Sequence, residues 1–260
     1  MGQEHSKTEF PQDYNIIGGL IGLGPDILLE LLFSMDNLPD IQKFIGVNKK
    51  TFHLKDHPGF QQIIVNSQCI DQVSELENSD LTGKSVELVR VDGLLRTAIG
   101  LIFERFSISL NKIMKVGIHS MSCIIEQRDN YLGYISGSIG VCKAGYKITY
   151  PCWPRIYPHY QSMVQYDGVD GLVRFKGNET KGNAKFSVGQ ILTMELNMDA
   201  GTLHFFVDGK QQRVFVCGIN EPVKFYFHLY DRHVPFTITS LKEIRLPTTK
   251  TLRLEKAIEW

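Results

Sequence analysis

The sequence predicts a mainly β protein, a bent antiparallel β-sandwich preceded by a small helical segment. Three observations carry this reading. Beyond about residue 80, apolar and polar residues alternate at the two-residue period of half-buried strands. The alternating runs are short and bounded by Gly- and Asp-bearing turns. No helical pattern falls between them, which is the signature of a sandwich and not of an α/β fold.

The clearest strands are QILTMELNMD and VKFYFHLY. In the first, Leu192, Met194, Leu196 and Met198 share one face; in the second, Val223, Phe225, Phe227 and Leu229 do. Further strands are expected at Ser85 to Val91, Ala98 to Phe106, Lys115 to His119, Gly171 to Lys176 and Phe236 to Leu241. Asp92-Gly93 and Asp167-Gly168 mark turns between them. The stretch NMDAGTLHFFVDGKQQ then reads as two successive hairpins. Asp199 and Asp208 are turn residues, Leu203, Phe205 and Val207 face one way, and His204 and Phe206 face the other.

Before residue 65 the period is helical. Leu28, Leu31, Leu32 and Met35 form one stripe, and Ile41, Phe44 and Ile45 a second. Pro25 suits a first turn, Asp26 and Glu30 suit the positive helix end, and His57-Pro58-Gly59 closes a third short helix. So few residues cannot bury both faces of three helices, so the segment must cover the rest of the chain or meet a partner. The expected organisation is an arm over 1–20, a helical segment over 21–65, a sandwich over 80–245 and a tail over 246–260. In the tail, Leu254, Ala257 and Ile258 suggest a short amphipathic turn, docked or frayed.

Composition narrows the function. Lys plus Arg equal Asp plus Glu at 28 each in 260 residues, so no global field recruits nucleic acid. The five cysteines are widely spaced, without a CxxC pair, which indicates neither a disulfide framework nor a zinc knuckle. A reducing, cytoplasmic setting is expected, with a nuclear or membrane-associated share left open. The apolar run Ile16 to Phe33 is broken by four glycines, Pro25, Asp26 and Glu30, and does not read as a membrane span. The start MGQEHSKTEF carries no secretory pattern, but Gly2 and Ser6 fit N-myristoylation. Membrane contact is expected only if Gly2 is acylated.

Chemistry is hard to find. GNETKGNA lacks the Gly-Lys-Ser/Thr ending of a phosphate loop, no HExxH motif exists, and no GxSxG elbow appears. The expectation is no catalytic residue, no metal and no cofactor. What stands out is GYKITYPCWPRIYPHYQS, Gly145 to Ser162, too proline-rich for a central strand and so a long surface connection. Tyr146, Tyr150, Trp153, Arg155, Tyr157 and Tyr160 are the residue types that binding hot spots favour. The alternative is that this segment folds back and closes the core. Asp231 and Arg232, in the polar loop after Tyr230, are expected beside it.

Two resemblances give these residues a context. FSVGQILTMELNMDAGTLHFFVDGKQQ resembles the signature of SPRY domains: Gly189-Gln190, a strand, Asp199 to Gly201, Phe205-Phe206, then Asp208-Gly209-Lys210. Val116-Gly117-Ile118, Lys176-Gly177-Asn178 and Lys181-Gly182-Asn183 fit the same pattern, so the likeness spans about residues 84–244. It implies a concanavalin-like sandwich that recognises a protein target through its loops, without catalysis. Upstream, Pro25-Asp26, Leu28, Leu29, Leu32, Phe33, Leu38, Ile41 and Asp56 to Phe60 resemble an F-box over about residues 23–60, with Gly24 in place of a usual leucine. That likeness implies docking on the adaptor subunit of a cullin-RING ubiquitin ligase through Pro25, Leu28, Leu32, Leu38 and Ile41. The chain is then expected to be a substrate receptor, or alternatively a SPRY scaffold without a ligase link, tethered through Gly2.

Overall fold

The computed structural model describes residues 22–33, 35, 38–60, 70–80, 82–126, 137–230 and 232–260. The chain divides into two compact units, Met1–Cys69 and Ile70–Trp260.

In the first unit, α1 (Pro25–Phe33), α2 (Leu38–Ile45) and α3 (Lys49–His53) follow one another, and a 3₁₀ turn over Leu54–Asp56 extends the last. Helix α3 starts where Asn48 can cap it: the Asn48 side chain accepts from the Thr51 amide at 3.0 Å, and the Thr51 hydroxyl accepts from the Asn48 amide at 3.1 Å. This reciprocal pair satisfies two amides that the helix itself leaves unpaired. Leu28, Leu32, Ile41, Leu54 and Phe60 bury one another, with Leu29, Phe44 and Ile45 around them. Outside that core α1 exposes Asp26 and Glu30, flanked by two apolar side chains, Ile27 at 49% exposed and Phe33 at 65%.

The second unit carries seventeen strands among the described residues, numbered in chain order: β1 (Ile70–Asp71), β2 (Leu76–Glu77), β3 (Val86–Val91), β4 (Leu94–Gly100), β5 (Phe106–Leu110), β6 (Ile118–Ile125), β7 (Gly137–Lys143), β8 (Met163–Asp167), β9 (Val173–Phe175), β10 (Asn178–Thr180), β11 (Ile191–Asn197), β12 (Thr202–Val207), β13 (Lys210–Gln211), β14 (Val214–Cys217), β15 (Val223–Leu229), β16 (Pro235–Ile244) and β17 (Lys256–Glu259). They form two sheets. One runs β17-β14-β12-β11-β6-β16-β4-β3, with β1 on β16 and β13 on β12; the other runs β10-β9-β8-β7-β15-β5-β2. The structure is therefore a mainly β sandwich with a small helical segment, as the alternation predicts.

The core lies between the sheets, filled by the faces that the alternation singles out. Leu192, Met194, Leu196, Leu203, Phe205 and Val207 come from the ten-stranded sheet, and Val223, Phe225, Phe227 and Leu229 from the seven-stranded one. Phe227 stacks on Phe236 across the core at 3.5 Å between centroids, and Tyr166 meets Phe205 at 5.1 Å. Both hairpins in the NMDAGTLHFFVDGKQQ stretch form. Asp208 and Gly209 take φ of 48° and 73°, the two positive values that a tight two-residue hairpin requires. Gly201, at φ 66°, lies so close to the Ile219 carbonyl that an added Cβ would approach it at 2.8 Å.

Three expectations shift. The run Ala98 to Phe106 is not one strand: β4 ends at Gly100 and β5 starts at Phe106 in the other sheet, so the chain must leave one layer between them. The strand expected at Lys115 starts later, at Ile118, because Gly117 turns the chain at φ 81°. The tail forms no amphipathic turn. It lies as β17, parallel to β14, and Trp260 stacks on Phe175 at 4.7 Å while donating to Glu221 at 3.0 Å.

Because Phe236 joins both layers and is fully buried, Phe236→Ala should lower the stability of the sandwich by about 3–5 kcal/mol. The measure is the urea midpoint at unchanged slope; a loss below roughly 1 kcal/mol would contradict a load shared through this stack.

Candidate functional site

The segment Gly145 to Ser162 is not a free loop. It leaves β7 and returns to β8 at the same end of the seven-stranded sheet, where the Lys143 amide donates to the Ser162 carbonyl at 2.9 Å. Between these points it crosses the outer face of the sheet to the opposite end, where the Cys152 amide donates to the Arg105 carbonyl at 3.0 Å. It then returns through a 3₁₀ turn, His159–Gln161, and the Lys176 amide closes on the Tyr160 carbonyl at 3.0 Å. Ile148 and Cys152 of the strap pack with Cys142, Met163 and Tyr226 of the sheet as a second apolar cluster beside the polar part of that face. Both alternatives for the segment thus have a share: it covers the sandwich, and it leaves part of itself exposed.

Under the strap the sheet face is polar and dry. Paired neighbours place Ser107, His228, Ser138 and Asp167 in one row across β5, β15, β7 and β8. Nδ1 of His228 lies 3.2 Å from the Ser107 hydroxyl. Burial pushes the His228 imidazole down to about 3, so it stays neutral in the fold. The hydroxyl of Ser138 and Oε1 of Gln165 are buried with no hydrogen-bond partner. Arg174 projects from β9 on the same face and binds Asp167 at 3.0 Å, Glu179 at 2.7 Å and Asp170. Burial nevertheless holds the Asp167 carboxyl above its ordinary range.

The candidate side chains separate into three groups. Tyr146 and Tyr150 line a groove of about 550 Å³ between the strap and Glu77 to Ser79, floored by Ser109 and Lys224. The Tyr146 hydroxyl meets Nδ1 of His159 at 2.7 Å. Trp153 and Arg155 sit at the far end of the strap, where Arg155 lies 4.8 Å from the Trp153 ring centre. Arg105 lies 3.9 Å from the same ring and 4.7 Å from that of Tyr230, so it joins the strap to the loop after β15. Tyr157, 74% exposed, packs edge-on against Tyr160 at 6.2 Å. Arg232 is exposed beyond Tyr230; Asp231 lies outside the described residues. Sequence reasoning missed Arg105 because it fell inside a supposed strand. Its signal was a cation directly before the apolar run FSISL.

The helical candidates are placed differently from the expectation. Leu28, Leu32 and Ile41 are each 0% exposed and form the helical unit's own core, so they are not surface contacts in this structure. Pro25 is exposed at the start of α1, and Leu38 opens α2 with its side chain outside the described residues. Gly2 also lies outside them.

One arrangement resembles catalytic equipment. The Cys152 thiol lies 3.5 Å from Nδ1 of His159. Burial pushes that thiol up to about 11 and the imidazole down, which disfavours the thiolate and imidazolium pair that a nucleophilic cysteine needs. His204 stacks on Phe215 at 4.6 Å as a sheet-face residue. Among the described residues no three metal-ligating side chains come together, and no helix is long and apolar enough to cross a membrane.

The sequence matches no protein-family model and no curated protein. The fold is similar to solved SPRY structures. The TRIM65 PSpry domain shares 14% identity, with 64% of this chain and 92% of that one covered at a TM-score of 0.46. The SPRY domain of human HERC1 shares 13%, with 60% and 94% covered at 0.45. A human SPRY domain shares 14%, with 59% and 95% covered at 0.41.

The neutral His228 gives a pH test. Unfolded, its imidazole takes a proton near 6.5; folded, it resists until about 3. Between these values the unfolded state holds the extra proton, so this contribution is complete above 6.5 and lost as the pH falls toward 3. His228→Asn should flatten the decline of the urea midpoint from about pH 7 to about pH 4. His159 and His204, both lowered by burial, leave a residual slope. An unchanged slope would contradict a neutral buried His228.

Proposed function

We propose that this chain is a non-catalytic protein-interaction protein, a SPRY-type recognition sandwich coupled to an F-box-like helical unit, acting as a substrate receptor for a cullin-RING ubiquitin ligase. The observation that carries the recognition half is the sandwich end where Arg155 and Arg105 lie over Trp153 and Arg105 also over Tyr230. Aromatic and arginine side chains held by a scaffold lose little entropy on binding and bury large areas. The target is therefore a protein surface, engaged through the strap and its neighbours.

The helical half rests on α1. Its inner stripe is used up in the unit's core, while Ile27 and Phe33 remain exposed on a helix of nine residues. Large apolar side chains left exposed on a short helix favour a second packing partner. In this reading the adaptor meets Ile27, Phe33 and the exposed Pro25, and Leu28, Leu32 and Ile41 hold the unit in shape. The second reading, a SPRY scaffold without a ligase link, draws support from the same burial: a unit with its own small core serves equally as a structural element.

Affinity capture of the intact chain separates the two. A receptor recovers the cullin adaptor, and Ile27→Glu with Phe33→Glu reduces recovery by roughly tenfold or more while the sandwich still binds its target. Because the substituted residues are exposed, the loss would not stem from unfolding, as it would with Leu28→Glu. Capture without adaptor, or recovery indifferent to both substitutions, leaves the scaffold reading.

A further inference from the structure

Several cations of the sandwich are paired with carboxylates: Arg174 has three, Lys143 has Glu221 at 2.6 Å, Lys224 has Glu77 at 2.8 Å and Arg90 has Glu75 at 2.8 Å. Half-buried Arg105 and exposed Arg155 are held differently. Neither guanidinium makes an ion pair or a side-chain hydrogen bond among the described residues; their contacts are ring faces. The nearby carboxylates are mainly engaged elsewhere: Glu104 accepts the Arg105 backbone amide at 2.8 Å, and Asp167, which Arg155 reaches through charge alone, is hydrogen-bonded to Arg174.

Both cations sit on the same indole, and their distances to its centre keep them within one Debye length of each other, about 10 Å at 0.1 M salt. Two like charges so close are mutually unfavourable until an anion joins them. A cation over a ring face keeps N–H donors to offer, and a guanidinium's donors fit a carboxylate in two parallel hydrogen bonds.

We propose that this end of the sandwich binds an acidic peptide segment of the partner, with its Asp or Glu carboxylates on the edges of Arg105 and Arg155 and its backbone across Trp153 and Tyr230. This rests on the protein-recognition reading above and names the chemistry of its target. The groove at Tyr146 and Tyr150, lined also by Glu77 and a neutralised Lys224, has no comparable charge preference.

The test pans a phage library of random twelve-residue peptides against the full chain and measures the fluorescein-labelled winners by anisotropy. Enrichment of Asp and Glu is expected, with binding that weakens as salt rises. Arg105→Gln with Arg155→Gln should weaken it by roughly tenfold or more at an unchanged melting temperature. Should the double variant melt early, Arg155→Gln alone, at an exposed position, should still give a several-fold loss. Arg105→Lys with Arg155→Lys should restore only part, because an ammonium keeps the charge but not the planar fork. Winners without acidic residues that bind the double variant as well as the parent would overturn the inference and leave protein recognition standing. Absence of any winner would overturn the inference, while the capture experiment still decides the broader reading on its own.

Discussion

The structure depends on a sheet that must be dry on both sides. Strands β5, β7 and β15 sit in the middle of the seven-stranded sheet with nearly every residue buried. Their inner faces meet the core, and their outer faces carry Ser107, His228, Ser138 and Tyr226. Burying such a face requires a cover that also supplies hydrogen bonds. The strap covers it but leaves the Ser138 hydroxyl without a partner, and the geometry beneath it is tight. Tyr226 donates to the Val164 carbonyl at 2.9 Å across Gly140, where an added Cβ would lie 3.1 Å from the Tyr226 ring and 1.9 Å from that carbonyl. Only glycine at 140 lets the tyrosine lie down. From this follows the position of everything exposed: a strap fixed along the sheet carries Trp153 to the sandwich end and sets it on Arg105.

The other face of the sandwich is closed by another device. Glu195, on the outer side of β11, is buried and receives the Thr248 amide at 3.0 Å and the Thr248 hydroxyl. Gln211 clasps Lys250 through both its amide groups at 2.8 Å. These polar contacts hold residues 248–250 against β11 and β13 before β17 joins the sheet edge. Both outer faces of the sandwich are thus covered by irregular chain, one aromatic and cationic, the other polar. The first leaves exposed rings and unpaired guanidinium groups and is suited to recognition; the second places its hydrogen bonds inward and serves the fold.

Legibility followed the local sequence pattern of each strand. Strands β11, β12 and β15 announced themselves by alternation, and Asp92-Gly93 and Asp208-Gly209 by the positive φ that their hairpins require. FSISL, now β5, alternates as well but was hidden because the run expected from Ala98 ends on its first residue, Phe106, and GSIGVCK, now β7, has glycine, serine and cysteine on its outer face and no clear polar period. At the candidate site the aromatic residues of the strap were legible as types, but not as three separate groups. Arg105 was hidden because its role comes from a pairing 48 residues away with Trp153, which no local pattern encodes. The helical stripe was read correctly as a stripe, yet its direction was not: spacing says which residues share a face and is silent on whether that face meets a partner or its own neighbours.

A chain with equal numbers of acids and bases cannot recruit a partner through its overall field, so any electrostatic preference has to be local. The distribution of partners shows where such a preference can reside. An arginine such as Arg174, almost buried among three carboxylates, has its desolvation cost offset internally and offers nothing outward. An arginine laid on an indole keeps its full charge and its donor edges, while the ring limits the conformations it would lose on binding. Two such arginines on one ring make the unbound state the electrostatically less favourable one. The affinity available there comes partly from relieving that repulsion, so substituting either arginine removes part of the ligand's attraction and part of the free protein's disfavour together. The two changes are therefore expected to be non-additive, with the double variant losing less than the two single losses combined. A double-mutant cycle on peptide affinity reads this directly, and strict additivity would mean that the two charges act on the ligand independently.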